Sequence, residues 1–510
     1  MDVRSFMERA TQTWPGNEAV VEGARRLTYS QAWERGLRLA NLMRQAGLRS
    51  QDRVAVLEDN TLEAVDFYLA CTIANFIRVP LYARNSADSH RHMMSHTSCS
   101  GLVVAAKYLP EVETCVDSLR FVLVRDESYE ERLAAAPADN FEVDIAESDI
   151  FIIRHTAGTT GRSKGVAYSH RKWITIMRDW LYPWPPMEVG DAFLHQSPIS
   201  HGSGYFFTPT WVAGARNVML PKADPQGILH AIERERITHL LGIPTIISAI
   251  VRHPDATTCD LSSVKALTIS GAPIDESTAR QTHKVFGDVL YVGFGQTEIN
   301  PVTFMGVKEW LGGDGHPGRP RSAGRAQPHG ELRILDVETH QPVPIGETGE
   351  IAARTDGQFE GFWGQPEATV ERIKDGWVLT GDMGRLDEEG YLYIMDRAGD
   401  MIISGGFNIY PAELENVIAS HPAIIEVAVF AVPNERWGES PAAVCVVKDL
   451  GDITEDEVKN LCRTQLGSYK RPSVVVVTQE PLPKSVVGKV LRKTLREPYW
   501  AGRDSRVAGS

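Results

Sequence analysis

Blocks of apolar and polar residues alternate from the N-terminus to about residue 300, in a pattern that predicts helices and strands in turn. Ser30 caps a predicted helix that ends near Ala46, and the apolar run Arg53–Leu57 predicts the next strand. Further helices are predicted at 62–74 and 86–97, and further strands at 77–81, 101–105 and 150–153. Such alternation is typical of stacked α/β units with parallel sheets.

The pattern changes after residue 330, where short strands separated by turn residues predict a small β-rich subdomain. Beyond Asp400, a helix that begins at Pro411, two apolar strands and a capping box at Thr454 predict a compact α+β unit. We therefore predict an α/β fold with a large N-terminal domain of stacked α/β subdomains and this β-rich subdomain in residues 1–398. A small α+β C-terminal domain would occupy 399–500, followed by a disordered tail at 501–510.

Composition narrows the classes of partner. The chain has 510 residues, of which 43% are hydrophobic, and a net charge of −13, which argues against nucleic acid or an anionic membrane surface as a partner. Six scattered cysteines form no Cys-x-x-Cys pair, so neither a disulfide framework nor a zinc site is indicated. With no apolar run of membrane-spanning or signal type, we expect a cytoplasmic protein without an anchor.

A glycine- and threonine-rich run at 155–165 directly follows the apolar strand at 150–153. Its glycines let backbone N–H groups approach anionic oxygens, its threonine hydroxyls add donors, and Lys164 adds a positive charge. The alternative is an ordinary polar turn, because the Gly-Lys-Ser/Thr triplet of a Walker loop is absent. The parts match what a nucleotide triphosphate needs.

Other segments carry groups that suit the rest of a nucleotide. Phe294 lies between two glycines and offers a flat ring for a base, and Asp382 offers a carboxylate for a ribose diol. Asp396 and Arg397 precede the inferred domain boundary, and Lys489 follows a glycine near the end of the chain.

In this order the motifs resemble the acyl-adenylate-forming superfamily of acyl-CoA synthetases, luciferases and adenylation domains, over essentially the whole chain. The resemblance rests on the phosphate loop, Gly271-Ala272-Pro273, Gly295-Gln296-Thr297-Glu298, Thr380-Gly381-Asp382, Asp396-Arg397, the run from Ser404 to Pro411, and Gly488-Lys489. It is nearest to fatty-acid and aryl acyl-CoA ligases. It implies an AMP-forming acid–thiol ligase that uses ATP, Mg²⁺ and coenzyme A and passes through an acyl-adenylate.

The resemblance also implies roles for individual residues. Phosphates would be bound by Thr156, Gly158, Thr159, Thr160, Gly161 and Lys164, the adenine and its surroundings by Gly271, Ala272, Pro273, Gly293, Phe294, Gly295 and Thr297, and the ribose by Asp382 and Arg397. Catalytic roles would fall to Lys489, Glu298 and His201, Mg²⁺ would be held by Glu298 and Thr159, and Gly405 and Gly406 would let the pantetheine arm of coenzyme A pass.

Several positions depart from the superfamily pattern: Ala157 replaces a serine, Ser163 a proline, Val292 a polar residue, Val487 a threonine, and Gly399 an aspartate or lysine at the hinge of the mobile C-terminal domain. Loss of a hydroxyl and of a proline would weaken ATP binding modestly. We hypothesise that glycine at the hinge leaves the rotation less defined.

Some residues have two interpretations. His201 matches a histidine that borders the acyl pocket of aryl-CoA ligases, although a buried structural histidine is the alternative. Lys470 and Arg471 would meet the phosphates of coenzyme A or form a solvated basic pair. We interpret His90, His92 and His96 as solvated on an exposed helix rather than metal-binding, the glycine pattern at 313–318 as a loop, and Phe206, Phe207 and Trp211 as packing residues.

The final acceptor stays open at this stage. Coenzyme A is favoured, with an apolar medium-chain or aryl acid as substrate and a monomer or homodimer as the assembly. Transfer to an amine or a carrier-protein thiol would make the protein an amide synthetase or loading enzyme. A luciferase-type oxygenase would share the motifs, and a nucleotide-binding regulator with a decayed site would have less reason to retain Lys489 and Glu298.

We predict that Lys489→Ala abolishes adenylate formation, because this lysine would neutralise charge between the carboxylate and the α-phosphate. Thioester formation from a supplied acyl-adenylate should remain, because the domain rotation withdraws the lysine from that step. Pyrophosphate release and thioester formation are measured separately. Loss of both half-reactions would contradict the alternation of the C-terminal domain.

Overall fold

The computed structural model describes residues 1–83, 85–156, 163–272, 274, 276–312, 318–397, 400–404, 407–434, 436–484 and 490–501, with residues 396, 397, 403, 407 and 408 described by their backbone alone. Its α-helices are α1 (Val3–Thr13), α2 (Tyr29–Gln45), α3 (Leu62–Ala74), α4 (Ala87–His96), α5 (Leu109–Val112), α6 (Tyr129–Ala135), α7 (His170–Leu181), α8 (Gly204–Val212), α9 (Pro225–Glu235), α10 (Pro244–Arg252), α11 (Glu276–Phe286), α12 (Val307–Leu311), α13 (Pro366–Arg372), α14 (Pro411–Ala419), α15 (Glu455–Leu466) and α16 (Arg492–Trp500).

The first strands are β1 (Glu18–Glu22), β2 (Arg25–Thr28), β3 (Arg53–Leu57), β4 (Ile77–Pro80), β5 (Gly101–Ala105), β6 (Phe121–Arg125), β7 (Ile150–His155), β8 (Gly165–Ser169), β9 (Ala192–His195), β10 (Arg216–Met219), β11 (His239–Gly242), β12 (Ala266–Ile269), β13 (Leu290–Gln296), β14 (Ile299–Gly306) and β15 (Arg325–Ala326). Those that follow are β16 (Gly330–Leu335), β17 (Gly349–Thr355), β18 (Gly361–Phe362), β19 (Ile373–Lys374), β20 (Trp377–Leu386), β21 (Leu392–Arg397), β22 (Ile402–Ser404), β23 (Phe407–Ile409), β24 (Ile424–Asn434), β25 (Gly438–Val447) and β26 (Val474–Thr478).

Two large sheets form the body of the protein. The first has the order β15-β14-β13-β12-β11-β9-β10-β1-β2, and the second has the order β18-β8-β7-β4-β3-β5-β6. In the first sheet, all neighbouring strands in the stretch β13-β12-β11-β9-β10-β1 are parallel, and in the second sheet so are those in the stretch β4-β3-β5-β6. Parallel pairing is expected for strands that alternate with helices. One apolar cluster, with residues from α1, α2, α3, α7 and α8, joins both sheets.

Strand β7 explains why the phosphate-loop motif begins where it does. It pairs in parallel with β4 and antiparallel with β8, so the connection between β7 and β8 turns back at one edge of the second sheet. Both strands are buried along almost their whole length, as their apolar sequences require. The chain therefore leaves a rigid sheet at His155 and re-enters it at Gly165.

Two smaller sheets follow. A third sheet has the order β16-β17-β20-β19, with β21 paired to β20, and it is the β-rich subdomain that the sequence predicted. A fourth sheet, β23-β22-β25-β24 with β26 on β25, packs with α14 and α15 around its own apolar cluster. Every residue of that cluster lies at or after Ile402.

Most predicted elements appear where the pattern indicated. The strand Arg53–Leu57 and the helix Leu62–Ala74 have the predicted bounds, and Thr454 accepts a hydrogen bond from the backbone of Glu457 in the predicted capping box. The predicted cap at Ser30 is wrong. Thr28 caps α2 instead, because its hydroxyl and the side chain of Gln31 each bond to the other's backbone N–H.

The interpretation of α4 as an exposed helix is also wrong on one face. His90 is fully buried, with Nε2 2.8 Å from the carbonyl oxygen of Tyr82 and Nδ1 3.3 Å from a Glu111 carboxylate oxygen. His92 and His96 also contact protein groups rather than water alone. None of the helices in the described ranges is both long enough and apolar enough to cross a bilayer.

We predict that Gly324→Ala lowers the free energy of unfolding by about 1–3 kcal/mol more than Gly346→Ala does. Both glycines have a positive φ, +95° and +90°. A Cβ atom at 324 would lie 2.5 Å from the carbonyl carbon of Phe304, whereas one at 346 would meet nothing within 4 Å. Urea denaturation of both variants measures the difference. Equal losses would mean that the backbone conformation alone, and not the close approach of β14, sets the requirement for glycine.

Candidate functional site

The base of the phosphate loop is closed by a backbone hydrogen bond, in which the N–H of Thr156 donates to the carbonyl of Lys164 at 3.0 Å. The Lys164 ammonium lies 4.9 Å from the centre of the Phe362 ring. An aromatic ring stabilises a nearby cation without neutralising it. Lys164 therefore lies beside an aromatic face, directly before β8 begins. Gly158, Thr159, Thr160 and Gly161, with the departure at Ala157, lie outside the described residues.

The segments predicted to surround the base follow β12 and β13. Gly271 and Ala272 are exposed just beyond β12, and Phe294 is buried within β13. A Cβ atom at position 295 would lie 2.3 Å from Oδ1 of Asn300 and 3.2 Å from its Cα, so a side chain there would displace Asn300. Pro273 lies outside the described residues.

A row of four polar side chains, which we name the carboxylate network, crosses from β13 to the third sheet: Asp382, Gln296, Arg372 and Glu298. The Gln296 amide donates to Oδ2 of Asp382 at 2.6 Å and to the carbonyl of Thr380 at 2.8 Å. Arg372 donates to Oε1 of Gln296 at 2.7 Å, and its Nη2 lies 3.4 Å from Oε1 of Glu298. The predicted ribose carboxylate and the predicted metal carboxylate are thus joined through two side chains.

Backbone contacts hold both ends of this network. Tyr168 donates to the carbonyl of Thr297 at 2.6 Å, next to Glu298. Asp382 in β20 stands opposite Arg397 in β21 in the register of the sheet, although the Arg397 side chain is not described. Both predicted ribose residues therefore lie on neighbouring strands at the same level.

Arg372 was not identified from the sequence. It ends α13, far along the chain from Glu298 and Gln296, and no local pattern marks it. Its only sequence signal is a basic residue in the last turn of a short helix, which is common. Only the tertiary fold shows its two partners.

His201 is connected to the strand that precedes the phosphate loop. Tyr82 donates its hydroxyl to the carbonyl of His155, and Nδ1 of His201 lies 3.3 Å from that hydroxyl oxygen. The two rings meet edge to face, with centres 5.4 Å apart. Burial raises the pKa of Tyr82 to about 12, so its proton stays in place at neutral pH. His201 is half-buried at the entrance to α8.

His155, the last residue of β7, carries a neutral imidazole at neutral pH. Burial lowers the pKa of His155 to about 3, with His96 and His92 acting in the same direction. The rings of His96 and His155 are 5.7 Å apart, and Nε2 of His92 lies 3.0 Å from the carbonyl of Ser163. His155 therefore adds no positive charge at the base of the loop.

Several predicted residues cannot be described. Lys489, Gly399, Val487, Gly405 and Gly406, the pattern at 313–317 and the tail from 502 onward lie outside the described residues. Lys470 forms an ion pair with Glu413, and Arg471 is exposed. The packing prediction for Phe206, Phe207 and Trp211 is confirmed, since all three are buried in the cluster that joins the large sheets.

Comparison with known proteins agrees with this architecture. A family described as AMP-binding enzyme matches residues 7–363, and the AMP-binding enzyme C-terminal domain matches residues 413–489. A feruloyl-CoA synthase of Amycolatopsis is 34% identical, over 97% of this chain and 98% of the relative. A medium/long-chain-fatty-acid–CoA ligase of Mycobacterium tuberculosis is 30% identical, over 95% and 88%.

Solved structures show the same fold. ATP-bound MatB from Rhodopseudomonas palustris superimposes with a TM-score of 0.88 and 29% identity, over 98% of this chain and 99% of that one. The amide bond synthetase McbA from Marinactinospora thermotolerans gives 0.86 and 26%, over 97% and 99%.

A large α/β body with a glycine-rich loop after a buried strand, joined to a smaller α+β unit, defines an AMP-forming ligase that acts through an acyl-adenylate. The chain belongs to the AMP-binding enzyme family.

We predict that Gln296→Leu raises the KM for ATP about 10-fold or more, because hydrogen bonds to charged groups contribute about 1.5–3 kcal/mol each. The KM for the acid should change little, since Gln296 contacts the groups predicted to hold the ribose and the metal. Pyrophosphate release at varied ATP and varied acid measures both constants.

The matched control for this change is Gln341→Leu, which makes the same substitution at an exposed position. It should leave both constants at the wild-type value. Equal increases of both KM values in Gln296→Leu would mean that the network supports the fold rather than the nucleotide.

Proposed function

We propose that the protein is an ATP-dependent carboxylic acid:CoA ligase that activates an apolar medium-chain or aryl acid, as a monomer or homodimer in the cytoplasm. The acid attacks the α-phosphate of ATP, pyrophosphate leaves, and the thiol of coenzyme A then displaces AMP from the acyl-adenylate. The observation that carries the proposal is the carboxylate network beyond β13, in a chain that belongs to the AMP-binding enzyme family.

The nucleotide would bind across the ends of β7, β12 and β13. Thr156, Lys164 and the loop residues Gly158, Thr159, Thr160 and Gly161 would bind phosphate oxygens. Phe294 and the glycines around it, with Gly271, Ala272, Pro273 and Thr297, would hold the base, and Asp382 with Arg397 would bind the ribose. The network supports this assignment, because Gln296 holds the Asp382 carboxylate in one orientation.

The residues present fit a magnesium ion. Glu298 supplies a carboxylate oxygen that is only 8% exposed, and Mg²⁺ is commonly bound through one or two carboxylates together with substrate phosphates. Glu298 and Thr159 would hold it, and it would spread the charge of the departing pyrophosphate. Arg372, whose Nη2 lies 3.4 Å from Oε1 of Glu298, helps to keep the Glu298 side chain in place.

The remaining residues would position the acid, and those supplied by the C-terminal domain would differ between the two half-reactions. His201, fixed by the Tyr82 hydroxyl, would border the reacting carboxylate. Lys489 would offset the repulsion between that carboxylate and the α-phosphate, and rotation of the C-terminal domain would bring Gly405 and Gly406 to the site instead. The names of the relatives, which include a feruloyl-CoA synthase and a medium/long-chain-fatty-acid–CoA ligase, support an apolar acid and coenzyme A as acceptor.

An amine is the second candidate acceptor. The structure of an amide bond synthetase superimposes nearly as well as that of MatB, so the fold alone does not distinguish an amine from a thiol. The CoA ligase is preferred, because the two relatives above, at 30% identity or more, are both named as CoA ligases or synthases.

The test is pyrophosphate release from ATP, measured across aliphatic and aryl acids with and without coenzyme A. We expect acid-dependent release that coenzyme A stimulates, with a thioester as the product. A parallel reaction with a simple amine in place of coenzyme A detects amide formation.

Two outcomes would contradict the proposal. Pyrophosphate release that the amine stimulates and coenzyme A does not would make the protein an amide synthetase. The absence of pyrophosphate release with every acid would favour a nucleotide-binding regulator with a decayed site. Glu298→Gln serves as the background control, since it should lower release with every acid by about 10-fold or more.

A further inference from the structure

The three histidines of α4 each contact a different segment of the chain. His90 is fully buried, with Nε2 2.8 Å from the carbonyl oxygen of Tyr82, and the amide of Gln365 donates to Nε2 of His96 at 3.0 Å. Within the described residues, no set of three or more His, Cys, Asp or Glu side chains is arranged to hold a metal ion. What these imidazoles offer is therefore hydrogen bonding rather than metal ligation.

Two of these histidines fix the helix in place. His90 joins α4 to the segment that follows β4, and His96 joins it to the residue that precedes α13. The ring of His96 also lies against the start of β8, since a Cβ atom on Gly165 would be 3.4 Å from its Cε1. Helix α4 is therefore a fixed support beside the point where the chain re-enters the second sheet.

The third histidine, His92, reaches the phosphate loop from this support. Its Nε2 lies 3.0 Å from the carbonyl oxygen of Ser163. A carbonyl oxygen can only accept, so Nε2 carries the hydrogen and donates it. His92 is half-buried and lies one turn before His96 on the same face of the helix, with the two rings stacked 5.5 Å apart. The donor therefore belongs to a side chain that its neighbour holds in place.

This hydrogen bond acts on the backbone of Lys164. Ser163 and Lys164 share a peptide group, which is planar, so fixing the Ser163 carbonyl also fixes the N–H of Lys164. On the other side, the carbonyl of Lys164 accepts the hydrogen bond from the N–H of Thr156 at 3.0 Å. Both peptide groups that flank the Cα atom of Lys164 are thus tied, and together they set the direction in which its side chain leaves the backbone.

Ser163 adds no such constraint of its own. A serine leaves the backbone angle φ free, whereas the proline of the superfamily pattern would fix it at about −65°. The Phe362 ring, 4.9 Å from the ammonium of Lys164, contacts the end of that side chain and not its backbone. The hydrogen bond from His92 therefore supplies a constraint that the residue at position 163 lacks.

We propose that His92 is a positioning residue for the nucleotide: its hydrogen bond to the Ser163 carbonyl orients Lys164 toward the phosphates of ATP. The inference rests on the proposed function, in which Lys164 binds phosphate oxygens. His92 acts on the nucleotide only through Lys164.

The test is the dissociation constant of MgATP, measured by titration calorimetry without acid or coenzyme A. His92→Phe keeps a flat ring and removes the donor, so it should raise this constant about 3- to 10-fold, as expected for one hydrogen bond between uncharged groups. His92→Gln places an amide N–H near the position of Nε2 and should restore most of the affinity.

The matched control is His283→Phe in the last turn of α11. Nδ1 of His283 lies 3.2 Å from the carbonyl oxygen of Gly287, so this change also removes a contact between an imidazole and a backbone carbonyl. It should leave the dissociation constant of MgATP at the wild-type value.

A double-mutant cycle separates positioning of Lys164 from support of the fold. Lys164→Met removes the charge that His92 orients, and it should weaken MgATP binding more than His92→Phe does. In the Lys164→Met background, His92→Phe should change the dissociation constant by less than about 2-fold, because no charge remains to be oriented. A purely structural role for His92 predicts the same loss in both backgrounds.

Four results would overturn the inference. They are an unchanged dissociation constant in His92→Phe, the same loss in His92→Gln as in His92→Phe, an undiminished effect of His92→Phe in the Lys164→Met background, and an equal loss in His283→Phe. Failure of the proposed ligase function is a separate result, because a wild type that binds MgATP but releases no pyrophosphate with any acid still allows the variants to be compared. A wild type that does not bind MgATP would overturn both.

Discussion

Arg372 holds together the side chains that carry the proposed nucleotide site. Its guanidinium bonds to the amide of Gln296 and lies beside the carboxylate of Glu298, while Gln296 bonds in turn to Asp382. Gln296 belongs to the first sheet and Asp382 to the third, so the network also fixes the relative position of the two sheets. A mistake in packing between them would separate the groups proposed to surround the nucleotide.

Buried charge is distributed unevenly over the molecule. Away from the site, charges are neutralised inside the chain, as in the pairs of Arg125 with Glu58 and Arg35 with Asp66. Two other buried arginines lie against aromatic rings: the guanidinium of Arg154 is 4.1 Å from the centre of the Tyr205 ring, and that of Arg78 is 3.5 Å from the centre of the Tyr68 ring. Aromatic faces stabilise these cations where no carboxylate is paired with them.

The sequence was informative where structure depends on neighbours along the chain. The strand Arg53–Leu57, the helix Leu62–Ala74 and the capping box at Thr454 follow from local spacing. The cap of α2 was misplaced by two residues, because Thr28 and Ser30 both have the required side chain and only the reciprocal bond with Gln31 decides between them. Local pattern alone does not resolve such a choice.

Long-range partners were not predictable. His90 looked solvated, yet it is buried by contacts with Tyr82 and Glu111. Arg372 carries no motif, since its significance lies in which side chains the fold brings near it. Phe294, Glu298 and Asp382 were singled out because the superfamily places them in recognisable runs. Their roles, like those of Lys489, Gly405 and Gly406, stay predictions.

The order of strands in the sheets also governs how the chain must be assembled as it is synthesised. In the second sheet, β8 is completed on its outer side by β18 at Gly361–Phe362, so this edge stays open until that segment leaves the ribosome. The cluster that begins at Ile402 contains no earlier residue, so it is synthesised after β18. A nascent chain therefore exposes an unpaired edge while the segment between Ser169 and Gly361 is synthesised, and it completes its last core only after that edge can close.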